Sequence, residues 1–129
     1  MDNALKRILY VEDDDDIRAV ARLALESIAG FELEVCENGL RALERAEAFA
    51  PQLILLDVMM PGLDGPATLD RLRQIPALQG TPAVFMTAKV QPSEVAALRA
   101  AGAADVIPKP FDPMTLGDNL RAIWERGRG

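Results

Sequence analysis

Five residues of this chain carry reactive groups at points where an apolar run gives way to a loop: Glu12 and Asp13, Asp57, Thr87 and Lys109. Brought to one place, three carboxylates, a hydroxyl and an ammonium would form a site for a hard cation and a phosphoryl group. Crowded carboxylates repel one another and raise each other's pKa unless a cation sits among them, and oxygen ligands completed by loop carbonyls and water suit Mg²⁺. The Thr87 hydroxyl can donate a hydrogen bond and Lys109 supplies positive charge, as the oxygens of a phosphoryl group passing to a carboxylate require. Aspartate is itself an acceptor of phosphoryl groups. A carbonyl two residues beyond Asp57, on Met59, could add a metal ligand without any demand on the side chain there.

Taken singly, each of these residues has a plainer reading. Asp57 alone reads as a loop or helix cap. Asp14, Asp15 and Asp16 read as a solvated run that favours a helix N-terminus. Thr87 alone is an ordinary strand-end hydroxyl, but the small Ala88 beside it leaves room for phosphoryl oxygens. Lys109, between Pro108 and Pro110, could be a surface lysine on an edge strand. Met59 and Met60 read as packing and loop residues. The functional reading therefore depends on convergence, and convergence depends on the elements that carry the five.

Those elements alternate. Ile8–Val11 is a short apolar run, followed by apolar residues at helical spacing (Ile17, Val20, Ala21, Ala24, Ile28) up to Gly30. A weaker strand at Leu33, Val35 and Cys36 leads through Asn38-Gly39 to a helix with Leu40, Leu43 and Ala46. Asn38-Gly39 would suit a hairpin, but the charges that follow have helical spacing. Leu53–Leu56 forms the third strand and delivers Asp57 to its end, and Asp64-Gly65 opens a helix with Leu69, Leu72 and Ile75 that stops at Pro76. Ala83–Met86 is the fourth strand, and its helix runs from Pro92 with Val95, Leu98 and Ala101 to Gly102. Asp105–Ile107 is the fifth, and Asp112-Pro113 supplies a cap and first-turn proline for a last helix lined by Leu116, Leu120 and Ile123. Continuous apolar strands, each followed by an amphipathic helix, predict an α/β, doubly wound, five-stranded parallel sheet flanked by five helices. In that architecture the strands' C-terminal ends share one edge, so the five residues should meet there.

Composition narrows the rest. With 129 residues, half of them hydrophobic, the chain suits a single core burying about two-thirds of its unfolded surface. A net charge of -6 argues against direct nucleic-acid binding. No signal peptide and no membrane span are evident, so a cytoplasmic protein is expected. With one cysteine and no histidine, internal disulfides, histidine-based zinc sites and histidine-dependent triads are excluded.

The order Glu12-Asp13, Asp57 with Met60-Pro61-Gly62 and Asp64-Gly65, Thr87-Ala88 and Lys109-Pro110-Phe111 resembles the receiver domain of bacterial two-component response regulators, over essentially the whole chain. The resemblance implies a flavodoxin-like sheet of order 2-1-3-4-5. It also implies Mg²⁺ held by Asp13, Asp57 and the Met59 carbonyl with Glu12 acting through water, and phosphorylation of Asp57 by a sensor histidine kinase or histidine phosphotransfer protein. Thr87, Lys109 and Ala88 would then form the phosphoryl pocket. It implies a cis bond between Lys109 and Pro110. On this reading residues 1–129 are one receiver domain without an output domain. The chain is a signalling phosphoacceptor rather than an enzyme, it acts on a downstream protein, and its last helices offer a surface to a second copy.

Two rivals share parts of this chemistry. A haloacid-dehalogenase-like phosphohydrolase would carry a second acid where Met59 stands, and a flavin module would not place Glu12-Asp13 against a flavin phosphate. A receiver that acts only as an interaction surface is a third alternative, which retention of all five site residues disfavours. Val106 occupies the position where many receivers have a switching aromatic, so any rearrangement is expected in the loop after Thr87 and the helix from Pro92. Trp124 reads either as core or as a partner contact. Met59 and Lys89 flank the pocket without a carboxylate or amide to orient water, which predicts an intermediate to long-lived phosphoaspartate.

Overall fold

A computed structural model describes residues 4–128, so positions 1–3 and 129 of the expected 1–129 domain lie outside the described residues. Strand β1 spans Arg7–Val11, β2 Glu32–Cys36, β3 Leu53–Asp57, β4 Ala83–Thr87 and β5 Asp105–Pro108. Helix α1 spans Asp15–Arg22, α2 Gly39–Phe49, α3 Gly65–Leu72, α4 Pro92–Ala100 and α5 Leu116–Arg128. All strand pairings are parallel and the order is β2-β1-β3-β4-β5, as expected.

The sheet is sandwiched because its central strands are apolar on both faces. Every residue of β3 and of β4 is buried. Alternation divides them: Ile8, Tyr10, Leu53, Leu55, Val84 and Met86 face α1 and α5, while Leu9, Val11, Ile54, Leu56 and Phe85 face α2, α3 and α4. Burying each large aliphatic side chain is worth about 1.5–3 kcal/mol, so these two clusters fix the register of the strands. The edge strands β2 and β5 are only partly buried.

Local signals set the helix starts. The Asp14 carboxylate accepts from the Asp16 and Ile17 amides, and Asp64 accepts from Ala67. Asn38 accepts from Arg41 to cap α2, which settles Asn38-Gly39 as a cap rather than a hairpin.

Several expected details differ. After Arg22 the first helix widens into a π-helical stretch, Leu23–Ile28, in which the Ala29 amide bonds the Ala24 carbonyl five residues back. The wider turn rotates Ile28 outward, and Val20 lies on the shoulder of the buried stripe of Ala21, Ala24 and Leu25; Val20 and Ile28 are 44% and 45% exposed. Leu40, in the first turn of α2, is exposed too, because Ala42, Ala46 and Phe49 form the buried face. In α4 only Leu98 is buried, and Ala101 is exposed past the helix end. Asp112 caps a turn rather than the last helix: its carboxylate accepts from the Met114 amide and its carbonyl from the Leu116 amide, with α5 starting at Leu116. Trp124 is 5% exposed and packs in the α1/α5 cluster, so its ring belongs to the core rather than to a partner surface.

Leu55 is fully buried at the centre of the sheet, paired with Tyr10 and Val84. Leu55→Ala is expected to cost about 2–5 kcal/mol, read by urea unfolding; a loss within error would show that this layer of the core relaxes freely.

Candidate functional site

Each strand ends where its side chain is useful. Glu12 follows β1, and its amide still donates to the Cys36 carbonyl (3.1 Å), which keeps it in line with the sheet. Because it lies two residues beyond Tyr10, it shares that residue's face and is fully buried. Asp57 and Thr87 are the last residues of β3 and β4 and are 4% and 5% exposed. Lys109 follows β5, and its amide donates to the Thr87 carbonyl at 2.9 Å. The bond from Lys109 to Pro110 is cis.

The five residues converge. The Lys109 Nζ lies 2.8 Å from Glu12 Oε1 and 2.7 Å from Asp57 Oδ1. Glu12, Asp13 and Asp57 each present a carboxylate oxygen within 4.8 Å of the others. Together with Met59, Thr87, Ala88, Asp14 and Ile17 they line a pocket of 260 Å³. Met59 is 66% exposed, whereas Met60 turns into the core at 7%. The Thr87 Oγ1 accepts from the Lys89 amide at 3.0 Å. Val106 packs partly buried against the α2/α3/α4 side of the core.

Burial dominates the electrostatics. It raises the Asp57 and Glu12 carboxyls above their ordinary values, with the Lys109 ammonium opposing it in both. For Lys109 burial pulls the other way, but its hydrogen bonds to Asp57 and Glu12, with their charges, outweigh it and hold the ammonium above its ordinary value. An oxygen-rich, partly buried cluster of three carboxylates is chemically matched to a hard divalent cation such as Mg²⁺.

Supporting residues emerge that pattern reading passed over. The Arg18 guanidinium donates to the Glu12 carbonyl at 2.9 Å and also pairs with Asp15, holding the acidic loop. Tyr10, legible only as a strand apolar, sets its hydroxyl 3.5 Å from Glu12 Oε1. Gly65 reads in sequence as part of a turn, but a Cβ there would fall 2.4 Å from the Asp57 carbonyl oxygen and 2.9 Å from Val58 Cα. Gly62, with φ of 78°, allows the intervening loop to turn in a conformation other residues resist. No sequence signal distinguishes these close approaches, because they depend on what lies opposite.

With this geometry, the relationship to known proteins is direct. The family described as response regulator receiver domain matches residues 8–121, and the chain belongs to it: it is a receiver domain of two-component response regulators. It is 40% identical over 119 residues to the transcriptional regulatory protein CseB of Streptomyces coelicolor, covering 92% of this chain and 49% of that protein. It is 37% identical over 126 residues to the DNA-binding response regulator MtrA of Mycobacterium tuberculosis, covering 98% and 54%. The chain thus spans about half the length of these curated relatives. Among solved structures it superposes on the Vibrio cholerae chemotaxis protein CheY4 with a TM-score of 0.86 at 30% identity, covering 93% of this chain and 99% of that one. A response regulator from Chloroflexus aurantiacus gives 0.85 at 33%, covering 95% and 99%.

A carboxyl whose folded pKa is raised makes its charge costly in the fold; the cost is full above the folded value and disappears as pH falls to the unfolded value. Asp57→Asn is therefore expected to stabilise the metal-free protein at neutral pH, with the gain shrinking as pH falls toward about 4, the ordinary Asp range. Denaturant unfolding of both proteins in EDTA across that range checks this, and a gain that grows on acidification would contradict it.

Proposed function

We propose that Asp57 is the phosphoacceptor of this receiver, taking a phosphoryl group from a sensor histidine kinase or a histidine phosphotransfer protein. The observation that carries the reading is the Lys109 ammonium held within 2.7 Å of Asp57 Oδ1 and 2.8 Å of Glu12 Oε1 at the mouth of one pocket. An Asp57 oxygen forms the new P–O bond as the P–N bond to the donor imidazole breaks, and the imidazole leaves with a proton. Lys109 and the Thr87 hydroxyl meet the phosphoryl oxygens, and Ala88 leaves them space. Glu12, Asp13, Asp57 and the Met59 carbonyl are the groups that would hold Mg²⁺. A bound ion supplies neutralisation of charge between the carboxylates and the phosphoryl oxygens.

On this reading the chain assists its own phosphorylation and dephosphorylation and turns over no separate substrate, so it is a signalling component rather than an enzyme. Its place is the cytoplasm, in keeping with the absence of any helix long and apolar enough to cross a membrane among the described residues. Its output is a protein contact, to a downstream target or to a second copy through the last helices.

The output segment we assign is the β4–α4 loop with α4. Residues 88–93 are exposed and α4 buries only Leu98, while the Lys89 amide is tied to the Thr87 hydroxyl at 3.0 Å. A hydroxyl that turns toward a phosphoryl oxygen moves the acceptor on which that loop hangs. Val106 is too short to gate the change as an aromatic would.

Two measurements check these statements. Incubation with Mg²⁺ and acetyl phosphate should add the mass of one phosphoryl group, lost in Asp57→Asn and in EDTA; steady turnover of a phosphoester with no trapped adduct would favour the phosphohydrolase instead. A structure with a bound phosphoryl mimic should show residues 88–91 and α4 displaced relative to β1 and β3, and an unmoved α4 would refute this output route.

A further inference from the structure

Among the described residues two sulfurs are accessible, and one of them lies at the same pocket. Cys36, the single cysteine, is fully buried at the end of β2, and burial pushes its thiol up to about 11. Its reactive thiolate is therefore scarce at neutral pH, and oxidants have no path to it. Met60 and Met86 are also closed off, at 7% and 0% exposure. Met59 and Met114 are open, at 66% and 67%. Met114 belongs to the turn ahead of α5, whereas Met59 lines the pocket with Asp57, Glu12 and Lys109. A thioether this exposed gains little from packing, and its susceptibility to oxidation follows its exposure.

We propose that Met59 is a redox modification site at which a peroxide forms the sulfoxide and so shortens the time for which Asp57 holds its phosphoryl group; this rests on the phosphoacceptor reading of Asp57. In the step, a sulfur lone pair forms a bond to one oxygen of hydrogen peroxide and the O–O bond breaks. The departing hydroxide takes the proton from the oxygen left on sulfur, giving sulfoxide and water. Sulfur loses two electrons and the peroxide gains them. The product exchanges a weak acceptor for a strongly polarised oxygen two residues beyond Asp57. Such an oxygen can orient a water toward the phosphoryl group, which a methyl thioether cannot. Methionine sulfoxide is reducible, so the setting is reversible.

The test uses the full chain, phosphorylated with acetyl phosphate and Mg²⁺ before or after native-state treatment with hydrogen peroxide. Phosphoryl loss is followed by intact mass, and peptide mapping locates the added oxygen. The expected result is oxidation at Met59 and Met114 with Met60 and Met86 spared, and several-fold faster phosphoryl loss in treated protein. The acceleration should persist in Met114→Leu and vanish in Met59→Leu, each compared with itself before treatment. Met59→Gln, which places a carbonyl acceptor there without peroxide, should lose its phosphoryl group several-fold faster than Met59→Leu. A Met59 that stays reduced while Met114 is oxidised would overturn the proposal, as would a normal adduct whose decay ignores oxidation. Absence of any adduct in untreated protein would instead sink the phosphoacceptor reading, and the lifetime effect with it.

Discussion

The interaction on which the rest depends is the bridge from the Lys109 ammonium to the two buried carboxylates, Glu12 and Asp57. Burial takes both carboxyls out of water and penalises their charged forms, which is why both sit above their ordinary range, and the charge of Asp57 adds to the effect at Glu12. A cation between them offsets that cost, and Lys109 provides one. The same arrangement makes the site receptive. Acids that are costly to keep charged suit a divalent cation, and on the proposed reading of Asp57 as phosphoacceptor the ammonium beside it is placed for the phosphoryl oxygens.

The sheet exists to hold that bridge. β1, β3 and β5 each deliver one of its members, and their spacing is fixed by parallel pairing in the order β2-β1-β3-β4-β5. Because β3 is buried along its whole length, Asp57 cannot shift without disturbing both cores. The β4–α4 side is built differently. Thr87 is anchored through the Lys109 amide, yet the helix that follows is held at Leu98 and by the Arg99–Asp105 pair near its C-terminal end. Exposed pairs of this kind add little, so the segment nearest the pocket is the one least restrained by packing. Rigid delivery on one side and a lightly packed helix on the other suit the output route proposed for α4.

Much of the fold was legible from period alone. The apolar runs ending at Val11, Leu56 and Met86 and the pairs Asn38-Gly39 and Asp64-Gly65 located their elements within a residue or two. The misplacements have one kind of cause. Ile28 and Leu40 fit a helical period yet face solvent, since a π-helical turn or the choice of small alanines for the packed face overrides the stripe. Asp112 looks like a helix cap but closes a turn one step earlier. Hydrophobic spacing says that a face exists, but not which neighbour arrives to cover it.

The sequence by itself determined the chemistry: which acids, hydroxyl and ammonium stand at the strand ends, and that a parallel sheet would gather them along one edge. It determined too that histidine ligands have no part, because the chain contains none. Only the tertiary structure decided how the gathered groups divide the space. It placed Lys109 between Glu12 and Asp57, set Tyr10 beneath Glu12, left Gly65 no room for a side chain, and turned Met60 inward while leaving Met59 in the open pocket. These outcomes depend on atoms from elements tens of residues apart meeting at hydrogen-bond distance, and no local pattern encodes what lies opposite.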